Sequence, residues 1–377
     1  MRICILGNSL TALTLAKALV NQKIYVDIIH NKKKLNISHI RTIGITKNNV
    51  DYFNKHIINI KKILWNIKKI EIFSENLKKE KMLDFEKNNE QFFFIIQNYK
   101  LIKLLKKNLL KNKFYKEKFL VNYNLSLVGK YDLIINCDSS NSIANKYFSK
   151  KIIKKYNCYA HTTIIKHNKI KNDTAFQIFT KKGPLAFLPI SNKETSIVFS
   201  IPNSIDKKKE NIKELIKNKN FKYKIYDIQN LHSFELNSLN LRSYYYKNIL
   251  AFGDLLHKVH PLAGQGFNMT IRDIKILLDI IKDRLDLGLA LDSSVNIEFE
   301  NKAEVGLPLD KSVNIEFQNK TKHKNFIFSN GVDLIHEFFN IERKINSKFL
   351  SRSVQLIGKY PKINKIFSRI ADKGALF

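Results

Sequence analysis

The chain is short of three things: 377 residues hold only three cysteines, eight arginines and no apolar run near the ~20 residues that a membrane span needs. Cys4, Cys137 and Cys158 stand far apart, without the short spacings that grip a metal, and two of them fall inside apolar strand-like runs. They read as buried reduced thiols, so no metal site is expected and the compartment expected is the cytosol. Met1 leads straight into the first apolar run, and no signal or transit segment is expected. The scarcity of arginine bears on the charge. Lys and Arg number 66 against 33 Asp and Glu, a formal net charge of +33, which would suit a phosphate-binding surface. The excess is almost all lysine, however, spread through every segment among abundant Asn and Ile. A protein that reads nucleic-acid grooves would more often cluster Arg with aromatics. No nucleic-acid partner is expected, although an anionic membrane surface would favour each nearby Lys by about 1 kcal/mol.

What the chain does have is concentrated in Gly253–Asp273, GDLLHKVHPLAGQGFNMTIRD. An apolar run, Ile249 to Phe252, ends in Gly253-Asp254; His260-Pro261 follows, and Ala263-Gly264-Gln265-Gly266 opens a helix with Asn268 in its first turn. Glycines beside a helix start let the backbone approach a ligand closely, and the unpaired N–H groups there favour an electron-rich or anionic group.

The N-terminus carries a second pattern. Ile3 to Leu6 form an apolar run, Gly7 to Ser9 a turn, Leu10, Leu13, Leu15, Ala18 and Leu19 a helical face, and Ile24 to Ile29 a second run. Strand, glycine turn, helix and strand within thirty residues make the βαβ unit that sets a pyrophosphate on a helix N-terminus. The usual Gly-x-Gly-x-x-Gly reads Gly7, Ser9 and Ala12 here, and the Ser9 side chain narrows the approach. The carboxylate usual at the end of the second strand is replaced by His30, which accepts fewer ribose protons. Without a nucleotide the same unit would be an ordinary βαβ.

Further along, Ile70 to Phe94 gives strand-like stretches, and Leu101, Leu104, Leu105 and Leu109 share a helical face. Tyr131 to Cys137 is a buried strand that runs into Asp138-Ser139-Ser140-Asn141-Ser142. Asp138 at that strand end suits either an Asx turn or a cofactor contact. Tyr159 to Pro202 alternates like the strands of a sheet, with Phe176, Phe179, Phe187 and Phe199 either walling a pocket or simply filling the core.

The Gly253–Asp273 string resembles the C-terminal signature of flavin-dependent aromatic hydroxylases, and most closely that of the ubiquinone-biosynthesis hydroxylases. The N-terminal strand and turn, His39-Ile40-Arg41-Thr42-Ile43, and Lys182 to Pro189 resemble further segments of that family in the same order. The Asp138 corner matches at Asp138 and Ser142 and departs at Ser139 and Asn145, where the family has Gly and Arg. The resemblance implies an α/β (α+β) fold: a Rossmann-like FAD-binding domain with a parallel sheet, interleaved with an antiparallel substrate sheet and followed by C-terminal helices. The boundaries expected are 1–69, 95–158 and 240–290 for the FAD domain, 70–94 and 159–239 for the substrate sheet, 291–320 for a duplicated insert and 321–377 for the C-terminal helices.

As the resemblance has it, FAD is held by Gly7, Ser9, Leu10, His30, Arg41, Asp138, Gly253, Asp254, Pro261, Gly264, Gln265, Gly266 and Asn268. NAD(P)H or another reductant supplies electrons, and a flavin C4a-hydroperoxide oxygenates an electron-rich phenol ring beside Pro261. His260 would be either a base toward the phenol or a structural hydrogen-bonding group. The function implied is hydroxylation of a polyprenylated phenol on the way to ubiquinone. The enzyme would be cytoplasmic or peripheral on the inner membrane, touching anionic lipid and other quinone-biosynthesis proteins. Two alternatives stand beside it, a flavin monooxygenase of a soluble aromatic and a non-catalytic member that partners the biosynthetic proteins.

Leu291–Phe299, LDSSVNIEF, recurs as Leu309–Phe317, LDKSVNIEF. One copy continues the family pattern and the other reads as a local tandem duplication at the surface, since two copies make no solenoid. Ile335 to Phe349 and Leu356 to Phe367 are expected as amphipathic helices that pack on the nucleotide domain or rest on a membrane.

Overall fold

The computed structural model describes residues 1–31, 38–77, 80–86, 93–120, 130–203, 211–260, 266–292, 309–345 and 349–358. Its first sheet grows from β1 (Arg2–Leu6), whose Ile3, Cys4, Ile5 and Leu6 are all buried, as expected of a parallel strand covered on both faces. Around it lie β2 (Tyr25–His30), β8 (Tyr115–Phe119), β9 (Leu133–Asn136), β16 (Tyr245–Tyr246) and β17 (Ile249–Ala251), in the order β16-β17-β9-β1-β2-β8. All neighbours are parallel except β16 and β17. Helix α1 (Leu10–Asn21) links β1 to β2 and packs against α3 (Asn98–Leu109), which buries Leu101, Leu105 and Leu109.

The second sheet is mainly antiparallel. Its members are β5 (Lys69–Ser74), β6 (Lys81–Glu86), β10 (Lys151–His167), β11 (Thr174–Thr180), β12 (Gly183–Pro189), β13 (Glu194–Pro202), β14 (Ile225–Ile228), β15 (His232–Leu241) and β18 (His257–Lys258). They run in the order β18-β15-β10-β13-β12-β11-β5-β6, with β14 beside β10. A small sheet of β3 (Thr42–Thr46), β7 (Phe93–Gln97) and β4 (Leu64–Ile67), in that order, accompanies the two. Short helices α2 (Lys47–Tyr52), α4 (Ser142–Tyr147) and α5 (Ile212–Lys219) join these parts.

Strand alternation divides the four phenylalanines. Phe176, Phe187 and Phe199 are buried on one face with Phe73 and with Ile212 and Ile216 of α5, and the Phe176 and Phe187 rings stack at 4.3 Å. They are core. Phe179, on the opposite face, packs toward Met269, Phe328 and Val332.

The chain closes with α6 (Gly266–Asp292), α7 (Leu309–Ile345) and α8 (Phe349–Gly358). The second repeat copy begins α7, and its Val313 and Phe317 are fully buried, the Phe317 ring 5.6 Å from that of Phe252. That copy therefore belongs to the core and runs without a break into the residues beyond 320. Residues 293–299 of the first copy, and 359–367 of the expected last helix, lie outside the described residues. Cys4, Cys137 and Cys158 are buried free thiols, and burial pushes the Cys4 and Cys137 thiols well above their ordinary range. Among the described residues no helix is long and apolar enough to cross a membrane.

Candidate functional site

Because β1, β2, β9 and β17 are parallel and in close register, their C-terminal ends share one edge: Leu6 pairs with Ile29 and Asn136, and Ala251 with Asn136. Every loop that leaves those ends is delivered to that edge, where open α/β sheets bind ligands. Gly7 leaves β1 with φ +100°, and a Cβ there would lie 3.0 Å from that of Asp138. Gly253 leaves β17 with φ +62°, and a Cβ there would meet the Thr11 methyl at 2.6 Å. Both glycines are thus required by the backbone and by close packing, which draws the β1, β9 and β17 loops together.

Ser9 caps α1, its Oγ accepting from the Ala12 N–H at 3.4 Å, so its side chain is turned into the helix end. Ser9 and Leu10 are half-buried and Asp254 is exposed at the mouth. Asp138 closes an Asx turn, accepting from the Ser140 N–H at 2.9 Å and its hydroxyl at 2.6 Å. Burial, with Asp254 and Asp138 adding to it, pushes the Cys137 thiol well above its ordinary range. At the end of β2, His30 is buried and its Nε2 lies 2.8 Å from Glu117 Oε1.

The Gly253–Asp273 segment is anchored at both ends. His257 Nε2 and Asp273 Oδ2 are 2.6 Å apart and almost completely buried, tying β18 to α6. Nothing in the string marks these two as partners, because they stand on different elements that packing brings together. Asn268 has its amide in the small sheet, donating to the Gly44 carbonyl at 3.0 Å and accepting from the Thr46 N–H at 3.2 Å and from Asn49 at 2.8 Å. It fixes the first turn of α6 against β3. Gly266 is exposed, and among the described residues a Cβ there would meet only Val259, at 4.0 Å. Pro261, Gly264 and Gln265 lie outside the described residues.

His260 is 1% exposed. Its ring lies 4.9 Å from that of Tyr156 and 4.5 Å from that of His336. Burial, with the neighbouring His336, pushes it down to about 3, so the imidazole is neutral at pH 7 and a weak proton acceptor. Beside it, the Tyr156 hydroxyl donates to Asp333, and the Ser238 hydroxyl donates to the other carboxylate oxygen at 3.3 Å. Burial and then Asp333 push the Tyr156 phenol well above its usual range. Arg41 is exposed, with its guanidinium 5.7 Å from the centre of the Phe234 ring on β15. The structure thus brings Gly7, Ser9, Leu10, His30, Asp138, Gly253 and Asp254 to the sheet edge. It sets Asn268 in the α6–β3 contact, His260 against α7, and Arg41 over the second sheet.

The face of the second sheet opposite the phenylalanine core is also informative. Register aligns Thr162, Val198, Ala186 and Gln177 across it, flanked by Ala160 and Ser200 on one side and by Ile164, Ser196, Leu188 and Ala175 on the other. One end of this face is covered by Ile40, Ile67, Phe93 and Ile95, while Phe179 at the other meets Met269, Phe328, Val332 and Val259. On β10, β13, β12 and β11 the rows between carry small or uncharged side chains, and on β15 they continue to His232 and to Phe234 under Arg41.

A squalene epoxidase family model matches residues 130–297. The chain is 32% identical over 124 residues to the 3-demethoxyubiquinol 3-hydroxylase of Escherichia coli, covering 31% of this chain and 32% of that protein. It is 22% identical over 280 residues to the ubiquinone biosynthesis monooxygenase COQ6 of Drosophila melanogaster, covering 63% of this chain and 55% of that one. The chain thus spans between about a third and just over half of the length of these relatives. In fold it matches Klebsiella pneumoniae HpxO complexed with FAD and uric acid, with a TM-score of 0.70 at 11% identity over 99% of this chain and 96% of that one. With a parallel sheet whose glycine loops meet at one edge and an antiparallel sheet beside it, the chain has the p-hydroxybenzoate-hydroxylase-like fold, and over part of its length it is similar in sequence to the monooxygenases named above.

Proposed function

We propose that this protein binds FAD and hydroxylates the aromatic ring of an uncharged, prenylated phenol on the way to ubiquinone. Bound FAD would supply the activation of oxygen; the protein supplies placement, electrostatics and the exclusion of water. The sheet edge fits the dinucleotide, because Gly7 and Gly253 leave backbone where a side chain would stand and α1 presents its N-terminus between them. Asp254, exposed at this edge, suits the ribityl or pyrophosphate region through water, and Asp138 shapes the neighbouring turn. Exposed Gly266, where a Cβ would come no nearer than 4.0 Å to the described residues, suits the close approach of the flavin ring to the start of α6. Neutral His260 serves as a packing wedge.

The observation that carries the substrate reading is the uncharged floor of the second sheet. A soluble aromatic acid would need a buried cation there to offset the loss of water around its carboxylate. The rows from Thr162 to Gln177 offer hydroxyl, amide and methyl groups instead, and Arg41 lies exposed at the Phe234 rim. Contact with an anionic membrane is supported by exposed Ile152 and Ile153, set between Lys150-Lys151 and Lys154-Lys155, and by exposed Leu334 and Ile341 on α7.

The test is to supply the FAD-loaded protein with a chemical reductant, ¹⁸O₂ and a prenylated phenol in anionic vesicles. One labelled oxygen in a ring hydroxyl is expected. Labelling of charged, water-soluble aromatics alone would favour the soluble-substrate alternative, and labelling of none would favour the non-catalytic one.

A further inference from the structure

The strand end at His30 lacks the carboxylate that usually holds a nucleotide ribose, yet a carboxylate is there, brought from another strand. β2 and β8 are parallel neighbours, with Ile28 opposite Glu117 and His30 opposite Phe119. Side chains two apart on a strand share a face, so Glu117 rises on the same face as His30. Adjacent strands lie about 4.8 Å apart, a gap that a glutamate side chain spans easily. It does so: Glu117 Oε1 is 2.8 Å from His30 Nε2 and 3.8 Å from Lys106 Nζ of α3. The imidazole is 10% exposed and the carboxylate 27%, so the group still open to a ligand at this edge is the carboxylate.

Resting on the proposal that the protein binds FAD, we propose that Glu117 is the ribose-binding residue for the adenosine half, with His30 as its positioning residue. His30 Nε2–H donates to one carboxylate oxygen and Lys106 fixes the same oxygen from α3, which orients the other oxygen to accept from the ribose hydroxyls. The acceptor lost in the change of a strand-end carboxylate to histidine is thereby restored from β8. Hydrogen bonding to a buried imidazole is the ordinary way to hold such a side chain in one rotamer.

Binding of FAD and of its 2′-deoxyadenosine analogue to flavin-free protein, followed by quenching of flavin fluorescence, tests this. The wild type is expected to prefer FAD, and Glu117→Gln to weaken FAD by on the order of tenfold to a hundredfold, the usual worth of a hydrogen bond to a charged group. The same change should leave the analogue nearly unaffected, so the preference collapses. His30→Glu placed on Glu117→Gln should restore it, because a carboxylate then stands at the strand end itself. Equal weakening of both flavins in Glu117→Gln, with the preference intact, would mean a merely structural pair and would overturn this proposal alone. A folded wild type that takes up neither flavin would overturn the FAD reading as well.

Discussion

At the scale of single residues, glycines that look alike in the sequence do different work. Gly253 has φ +62° and no room for a Cβ beside Thr11, whereas a Cβ at Gly266 would meet the described residues only at an ordinary 4.0 Å, at Val259. Gly253→Ala should therefore destabilise the fold itself, by roughly 1–3 kcal/mol for a side chain forced into left-handed backbone, seen as a lower urea midpoint. Gly266→Leu should leave stability to urea within about 0.5 kcal/mol of wild type and yet abolish flavin retention, since the exposed start of α6 is the proposed flavin contact. Equal stability losses in the two variants would argue against a ligand at Gly266.

His260 makes a prediction about pH. Its folded-state value is depressed from 6.5 to about 3 by burial and His336, so between those values the unfolded chain binds the extra proton. The stability it contributes is complete above pH 6.5 and is lost as pH falls toward about 3, by a few kcal/mol in all. His260→Leu should flatten the dependence of the urea midpoint on pH between about 6.5 and 3. An unchanged acid limb would show that the imidazole is not held neutral in the folded protein.

At the scale of elements, what was legible in the chain was whatever is local. The βαβ unit, the apolar face of α3 and the glycine-rich string could be read because their determinants lie within thirty residues and repeat at strand or helix period. The partners that make the site work were not legible. Glu117 meets His30 across 87 residues, Asn268 meets Gly44 across 224, and Asp333 meets Tyr156 across 177. Register and packing create these pairs, and no spacing announces them. The repeat shows the same limit: its two copies are nearly identical as strings, and only the burial of Phe317 shows that the second copy serves the core.

The His257–Asp273 contact is an element-level device, because it pins β18 to the first turns of α6 and so sets how the segment between them begins and ends. Asp273→Ala should cost about 1–3 kcal/mol, as expected when a buried polar group loses its hydrogen-bond partner. A loss under about 1 kcal/mol in chemical denaturation would mean that packing alone aligns β18 with α6.

At the scale of the whole molecule, two sheets divide the labour. The parallel sheet gathers glycine turns and carboxylates at one edge, which suits a long, polar, anionic cofactor. The antiparallel sheet turns an uncharged floor toward α6 and α7, which suits an apolar ring. The net charge of +33 is explained by neither sheet's interior, since lysine is spread along the whole chain; its proposed use is at a membrane, not on nucleic acid.

The edge formed by Gly7, Asp138 and Gly253 is proposed to hold FAD. The most direct measurement is the flavin content of the purified, folded protein after incubation with excess FAD and removal of what is free. One FAD per chain, with the visible flavin spectrum retained through gel filtration and lost in Gly266→Leu, is the predicted result. A folded wild-type protein that elutes colourless would contradict the account.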